Sequence, residues 1–169
     1  MESNSTIGIP NYFNTYELSD GSIAHIQIMD TAGEEKFRSV TTSYYRKADC
    51  CLLVYDITKK DSFDEIKDYY NEKIKENCKK NIKVVLLGNK TDLEDKRQVT
   101  YEEGIKFCSE NEYTFLETSC LKNQNVADAF ETLIEIAHRE ASKNKEKDTD
   151  SLNLKRAKTK KDKKKNNFC

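Results

Sequence analysis

Three short polar clusters hold the residues able to do chemistry. The first is Asp30-Thr31-Ala32-Gly33-Glu34-Glu35, the second Asn89-Lys90-Thr91-Asp92, and the third Thr118-Ser119-Cys120. Each follows an apolar stretch that ends at Met29, at Leu87 and Gly88, or at Leu116. Carboxylates, hydroxyls, an amide and a lysine in short loops bind polar ligands through directed hydrogen bonds. Their bland alternatives are a helix cap for Asp30, an ordinary polar turn for Asn89–Asp92, and a loop serine and buried thiol for Ser119 and Cys120.

The elements around them alternate. Ile23–Met29 is a β-rich run with Ile26 and Ile28 at period two, and Ser19-Asp20-Gly21 supplies a turn before it. Asn14–Ser19 and Ile23–Met29 are expected to form an antiparallel hairpin. Cys50–Tyr55 and Val84–Leu87 are continuously apolar, as strands buried on both faces of a parallel sheet are. Thr114–Glu117 is a weaker candidate of the same kind. Between them, Phe63, Ile66, Tyr70 and Ile74 recur at helical spacing, with Asp61 as a candidate cap. Thr100 and Glu103 make a capping box ahead of Ile105 and Cys108. Val126, Phe130, Leu133 and Ala137 form an apolar stripe that Asn125 is placed to cap. Strands alternating with helices predict a doubly wound α/β sheet, which holds its ligands beyond the carboxyl ends of its strands. All three clusters would then meet at one rim.

Composition narrows the function classes. The chain has 169 residues, 35% of them charged, and a net charge of −1. That small net charge hides an asymmetry. Residues 141–169 hold 11 Lys/Arg against 4 Asp/Glu, whereas the rest holds 18 against 26. An acidic body argues against nucleic-acid binding, and a basic tail suits an anionic surface or plain solvation. Cys50–Tyr55 is the longest wholly apolar run, too short to span a bilayer. The start, Met1-Glu-Ser-Asn-Ser, lacks the pattern of a secretory signal. The six cysteines show no C-x-x-C spacing, and four of them (Cys50, Cys51, Cys78 and Cys108) read as small core residues in a reducing setting.

The clusters resemble known motifs. Asp30–Gly33 resembles the D-T-A-G switch of Ras-type small GTPases, Asn89–Asp92 their N-K-x-D guanine motif, and Glu117–Cys120 their E-T-S-A loop. Ser5-Thr6-Ile7-Gly8-Ile9, Glu34-Glu35-Lys36-Phe37-Arg38-Ser39 and Tyr44-Tyr45-Arg46 look most like the Rab branch. The resemblance covers residues 3–140. Three ordered motifs are specific, whereas a lone N-K-x-D in a lysine-rich chain is weak.

The resemblance implies a small GTPase fold for residues 1–142 and a lysine-rich, disordered tail over 143–169. It implies GTP/GDP and Mg²⁺ as ligands, a switch role in vesicle traffic, Rab-type effectors and regulators as partners, and a place on the cytoplasmic face of an intracellular membrane. By the same resemblance Asp92 accepts the N1–H and exocyclic amine of guanine, a donor pair that adenine lacks. Asn89 and Lys90 brace the loop and cover the base, Ser119 orients Asp92, and the N–H of Cys120 meets the guanine O6. Asp30 and Thr6 hold Mg²⁺, and Gly33 presents its N–H to the γ-phosphate.

The chain also departs from the family pattern. The phosphate cradle G-x-x-x-x-G-K-[ST] is not found: none of the five glycines precedes a lysine and no two are five apart. The expected architecture is therefore a small-GTPase sheet without its first strand, phosphate loop and first helix, with apolar strand edges left open. Guanine contacts alone would support millimolar to high-micromolar binding, roughly 4–6 kcal/mol, and hydrolysis is expected to be negligible. Glu34 stands where the family usually has a water-orienting glutamine, and its charge would repel the γ-phosphate. Met29 replaces the usual tryptophan, Pro10-Asn11-Tyr12-Phe13 departs from the effector-surface pattern, and Leu121 stands where a lysine usually follows the E-T-S-A loop. The last residue, Cys169, follows a lysine-rich run and is not part of a C-a-a-X box. One prenyl chain on it plus the basic segment would make a two-signal anchor, and an unmodified thiol is the alternative. A second expectation is a non-catalytic interaction module that binds Rab partners or regulators without cycling.

Overall fold

The computed structural model describes residues 11–31 and 43–143. The chain enters as a hairpin, β1 over Asn11–Glu17 and β2 over Ile23–Met29, antiparallel with Asn11 opposite Met29 and Glu17 opposite Ile23. The first strand lies three residues earlier than the sequence pattern predicts. Leu18 is the reason, because it leaves the ladder to be buried and so opens the turn. Its N–H donates to the Ser22 carbonyl at 2.8 Å, and the Gly21 N–H returns to the Leu18 carbonyl at 2.9 Å. Gly21 takes φ 81° there, a left-handed backbone that suits glycine.

Three strands form a separate parallel sheet: β3 over Cys50–Asp56, β4 over Lys83–Asn89 and β5 over Thr114–Thr118, in the order β3-β4-β5. β4 is central, and Val84 through Gly88 are all buried, as a run apolar on both faces requires. Helices cover both faces. The first, α1, comprises Lys60–Glu65, a π-wound turn Ile66–Tyr70, and Asn71–Asn77 in unbroken succession. The second, α2, spans Tyr101–Asn111, and α3 runs over 126–143.

The helix starts follow local chemistry, with two departures. Thr100 and Glu103 form the expected capping box on α2: Thr100 Oγ1 accepts from the Glu103 N–H and Glu103 Oε2 from the Thr100 N–H, at 3.2 and 2.8 Å. On α1 the cap position is Lys59 rather than Asp61, which lies in the first turn where a negative charge suits the helix dipole. At α3, Asn125 accepts the first helical bond through its carbonyl, from Ala129. Its side chain does not cap, because Nδ2 donates to the Glu117 carbonyl at 2.9 Å.

The core has two layers. On one face of the sheet Leu53, Tyr55, Val84 and Leu86 pack with Phe63, Ile66 and Ile74 of α1 and Phe107 and Cys108 of α2. On the other face Val85 and Leu87 meet Ala129 and Leu133 of α3. The apolar stripe of α3 is thus turned from the one expected, with Ala129, Leu133 and Ile136 against the sheet and Val126, Phe130 and Ala137 half-exposed. Cys108 is buried and Cys50, Cys51 and Cys78 are half-buried. Burial pushes the Cys51 and Cys108 thiols up to about 12, which makes them poor nucleophiles.

The hairpin touches this body through its turn. The Ser19 N–H and hydroxyl donate to Glu135 of α3 at 2.7 and 2.9 Å, and His138 Nε2 lies 3.1 Å from Asp20 Oδ2. Among the described residues β2 and β3 share no ladder, and Val54 on β3 is 53% exposed.

Candidate functional site

The register of the sheet builds the site. Asp56 lies opposite Asn89, and Asn89 opposite Thr118, so the last residues of β3, β4 and β5 stand in one row. The loops that follow are stitched together. Asn89 Oδ1 accepts from the Thr118 hydroxyl at 3.2 Å and from the Cys120 N–H at 3.3 Å. Thr91 Oγ1 donates to the Thr118 carbonyl at 3.2 Å. Gly88 lets the strand end pass under Tyr55, whose hydroxyl would lie 2.9 Å from an added Cβ.

Ser119 is fully buried, and its hydroxyl donates to Asp92 Oδ1 at 2.5 Å while accepting from the Lys122 N–H at 3.1 Å. A carboxylate offers about four lone-pair sites. The Ser119 bond occupies one and fixes the orientation of the rest.

Lys90 adopts a left-handed backbone, φ 74°. Its ammonium pairs with Asp56 Oδ2 at 2.6 Å. The other oxygen of Asp56 accepts from the Thr58 N–H and hydroxyl at 2.9 and 2.7 Å. Burial alone would raise the Asp56 carboxyl; the bonds from Lys90 and Thr58 outweigh it and hold the group below the usual carboxylate range.

Five of the nominated residues therefore converge: Asn89, Lys90, Asp92, Ser119 and Cys120. Asp30 stands exposed just past β2 and shares no hydrogen bond with them. Thr6, Gly33, Glu34 and Cys169 lie outside the described residues.

Against known proteins, the model of the Ras family matches residues 1–139. The chain belongs to the Ras family. It is Rab-like within that family. It is 48% identical over 129 residues to the Ras-related protein Rab-8B of Homo sapiens, covering 76% of this chain and 61% of that protein. The GTP-binding protein ypt2 of Schizosaccharomyces pombe is 45% identical over the same length, with 76% of this chain and 64% of that protein covered. Rab-8A of Mus musculus is 47% identical, with 76% and 61% covered. The chain spans about three-fifths of the length of these Ras-family relatives.

Sequence reasoning missed two residues that build this rim in the Ras-family chain, Asp56 and Arg97, and gave Thr118 of the third cluster no role. Asp56 ends an apolar strand as a single carboxylate, and nothing in its neighbours announces Lys90 as its partner. Thr118 joins Asn89 only through strand register. Arg97 forks onto Glu117, with Nη1 to Oε1 at 2.6 Å and Nη2 to Oε2 at 3.0 Å. Glu117 is the clue there: a carboxylate directly after Phe115 and Leu116 in a strand requires a cation.

Proposed function

We propose that the chain is a Rab-like small GTP-binding protein whose strand-end rim recognises guanine, as part of a GTP/GDP switch in membrane traffic. The contact between Ser119 and Asp92 carries this reading. It is a 2.5 Å bond from a fully buried serine that orients the part-buried Asp92 carboxylate and leaves it lone pairs for a ligand. Guanine presents N1–H and a 2-amino group side by side, and the two oxygens of Asp92 match that pair. Each charge-assisted bond is worth about 1.5–3 kcal/mol. Adenine has an acceptor at N1 and would leave Asp92 facing a lone pair. Lys90, anchored at its tip by Asp56 and 47% exposed along its side chain, would form one wall of the purine slot.

The phosphates and Mg²⁺ belong to the other half of the reading. Asp30 is an exposed carboxylate suited to a hard cation, with Thr6 as its companion ligand. When bound, Mg²⁺ would neutralise the phosphate charge. Gly33 would offer its N–H to the γ-phosphate, and the Glu34 carboxylate would repel that group and slow hydrolysis. The lysine-rich tail ending in Cys169 would meet an anionic cytoplasmic leaflet, with about 1 kcal/mol from each basic residue near the surface. No described helix is long and apolar enough to cross a membrane.

The test is ligand-observed NMR on the full chain with GDP and ADP at millimolar concentration. GDP is expected to bind and ADP is not. Asp92→Ala should weaken GDP by at least about 150-fold, the loss of two charge-assisted bonds at the lower bound. Equal binding of the two nucleotides, or none of GDP, would overturn the guanine reading.

A further inference from the structure

Arg97 spends every nitrogen of its guanidinium on protein. Nε donates to Glu94 Oε1 at 2.7 Å and Nη2 to Glu94 Oε2 at 2.7 Å. Nη1 and Nη2 hold the two oxygens of Glu117, and Nη1 also donates to the Val99 carbonyl at 3.0 Å. Glu94 lies two residues after Asp92, and Glu117 two residues before Ser119. Val99 is fully buried, and the N–H groups of Gln98 and Val99 both donate to the Ile57 carbonyl, at 2.8 and 3.1 Å. The connections thus run from the core, through Arg97, to the two segments that carry the purine-facing pair.

The arrangement is costly as a source of stability alone. Arg97 and Glu117 are both mostly buried, and a buried ion pair gains little over an apolar pair of similar volume. Its distinctive return is geometric. A guanidinium fork fixes two carboxylates in one plane, which a lysine ammonium cannot do. The Ser119–Asp92 bond and the bonds of Asn89 and Thr91 to Thr118 and Cys120 tie the two loops close to the strand ends. Arg97 adds a second point of attachment away from them, holding Glu94 and Glu117 on the flank of each loop to one planar group.

We propose that Arg97 is a positioning residue for base recognition: by clamping Glu94 and Glu117 to one guanidinium it sets the angle at which Asp92 meets the base, and so sets discrimination at the purine 2-position. This inference rests on the guanine reading above. It adds a residue that does not touch the ligand and a property, base selectivity, that the residue controls.

The experiment titrates the full chain with GDP and with inosine diphosphate, which lacks the 2-amino group, for wild type, Arg97→Lys, Arg97→Met and Glu117→Gln. An amide correlation spectrum of each sample reports its folded fraction. Wild type is expected to prefer GDP by about tenfold, one charge-assisted bond. In Arg97→Met the GDP affinity should fall about tenfold and the preference should collapse to about twofold. Arg97→Lys and Glu117→Gln should lie between. A merely structural role would lower binding of both ligands together and leave their ratio at the wild-type value, and that result overturns the proposal. Should Arg97→Met not fold, Glu117→Gln decides, because it keeps the shape and removes one carboxylate from the fork. If wild type binds no GDP or does not prefer it to ADP, the guanine reading itself has failed and this inference falls with it. If wild type discriminates and the variants discriminate equally, the positioning role alone is wrong.

Discussion

Two β structures share this chain and differ in what holds them. β4 has seven residues, five of them consecutively buried between two layers of helix. β1 and β2 also have seven each, and none of their residues is buried. The hairpin is anchored at its turn, through Leu18 and the bonds of Ser19 and Asp20 to α3. Asp30 sits at the opposite end, beyond Met29. The loops proposed to recognise the base therefore grow from the most buried part of the described residues. The carboxylate nominated for the cation grows from the least supported part. On the proposed guanine reading, a rim built this way would be preorganised on its purine side and less supported on its cation side.

The largest expected effect breaks the rigid side. A Cβ at Gly104 would lie 2.4, 2.7 and 2.9 Å from three atoms of the Phe115 ring, and Tyr101 packs against that ring. Gly104→Ala should therefore cost about 3 kcal/mol, the upper part of the usual range for overpacking. A urea midpoint lowered accordingly, with the whole parallel sheet melting together, would confirm that α2 and β5 are fitted to each other. An unchanged midpoint would mean that the close packing of this layer is not what holds the sheet.

Leu18→Ala tests the other side. Truncating a buried leucine costs about 2–5 kcal/mol; at a surface turn the lower end is expected, and the loss should stay local. Amide exchange should quicken across residues 11–29 and remain slow in β4. If β4 exchanged faster by the same factor, the hairpin and the sheet would be one cooperative unit and the contrast drawn above would be false.

Acid offers a finer cut at the same anchor. Hydrogen bonds from the Ser22 hydroxyl and N–H, then from His138, bring the Asp20 carboxyl down to about 2 from its ordinary 3.8. A carboxyl depressed in the folded state favours folding above its unfolded pKa and loses that contribution as protons bind. Asp20 therefore supports the turn above about pH 4 and releases it progressively toward pH 2. The Ser22 amide resonance should move over that window in wild type and stay still in Asp20→Asn. Movement centred near 4 instead would show that the carboxylate is not held by Ser22.

The same contrast explains what could be read from the residues. The runs Cys50–Tyr55 and Val84–Leu87 became β3 and β4, with one or two residues added at the ends; burial on both faces explains the composition of β4, whereas β3 lies at the edge with Val54 exposed. The Thr100–Glu103 box became a real cap because both partners lie within one turn. The loops carrying Asn89, Asp92 and Ser119 were legible because each follows such a strand directly. Contacts between distant segments were not. Arg97 and Glu117 are 20 residues apart, and their pairing exists only once β5 lies beside β4. Asn125 had the composition of a cap, and its side chain bonded a strand carbonyl that local pattern does not reveal. The first strand of the hairpin lies earlier than predicted because Leu18 is buried at the turn, a tertiary event that local pattern does not reveal, whereas the alternating run Ile23–Met29 formed with the expected bounds.

The smallest expected effect is also the cleanest check on how little covers the hairpin. Phe13 is 76% exposed on β1, across from Gln27. A phenylalanine in a strand usually contributes by packing on cross-strand neighbours, and here most of its ring meets none. Phe13→Ser should therefore change stability by no more than about 0.5 kcal/mol, as exposed substitutions do. The sign distinguishes two causes: a small loss reflects β-propensity alone, and a small gain reflects relief of exposed apolar surface in the folded state. A loss above about 1 kcal/mol would mean that something covers this face in solution. The hairpin would then be a supported element, and the stiffness difference between the two sides of the rim would disappear with it.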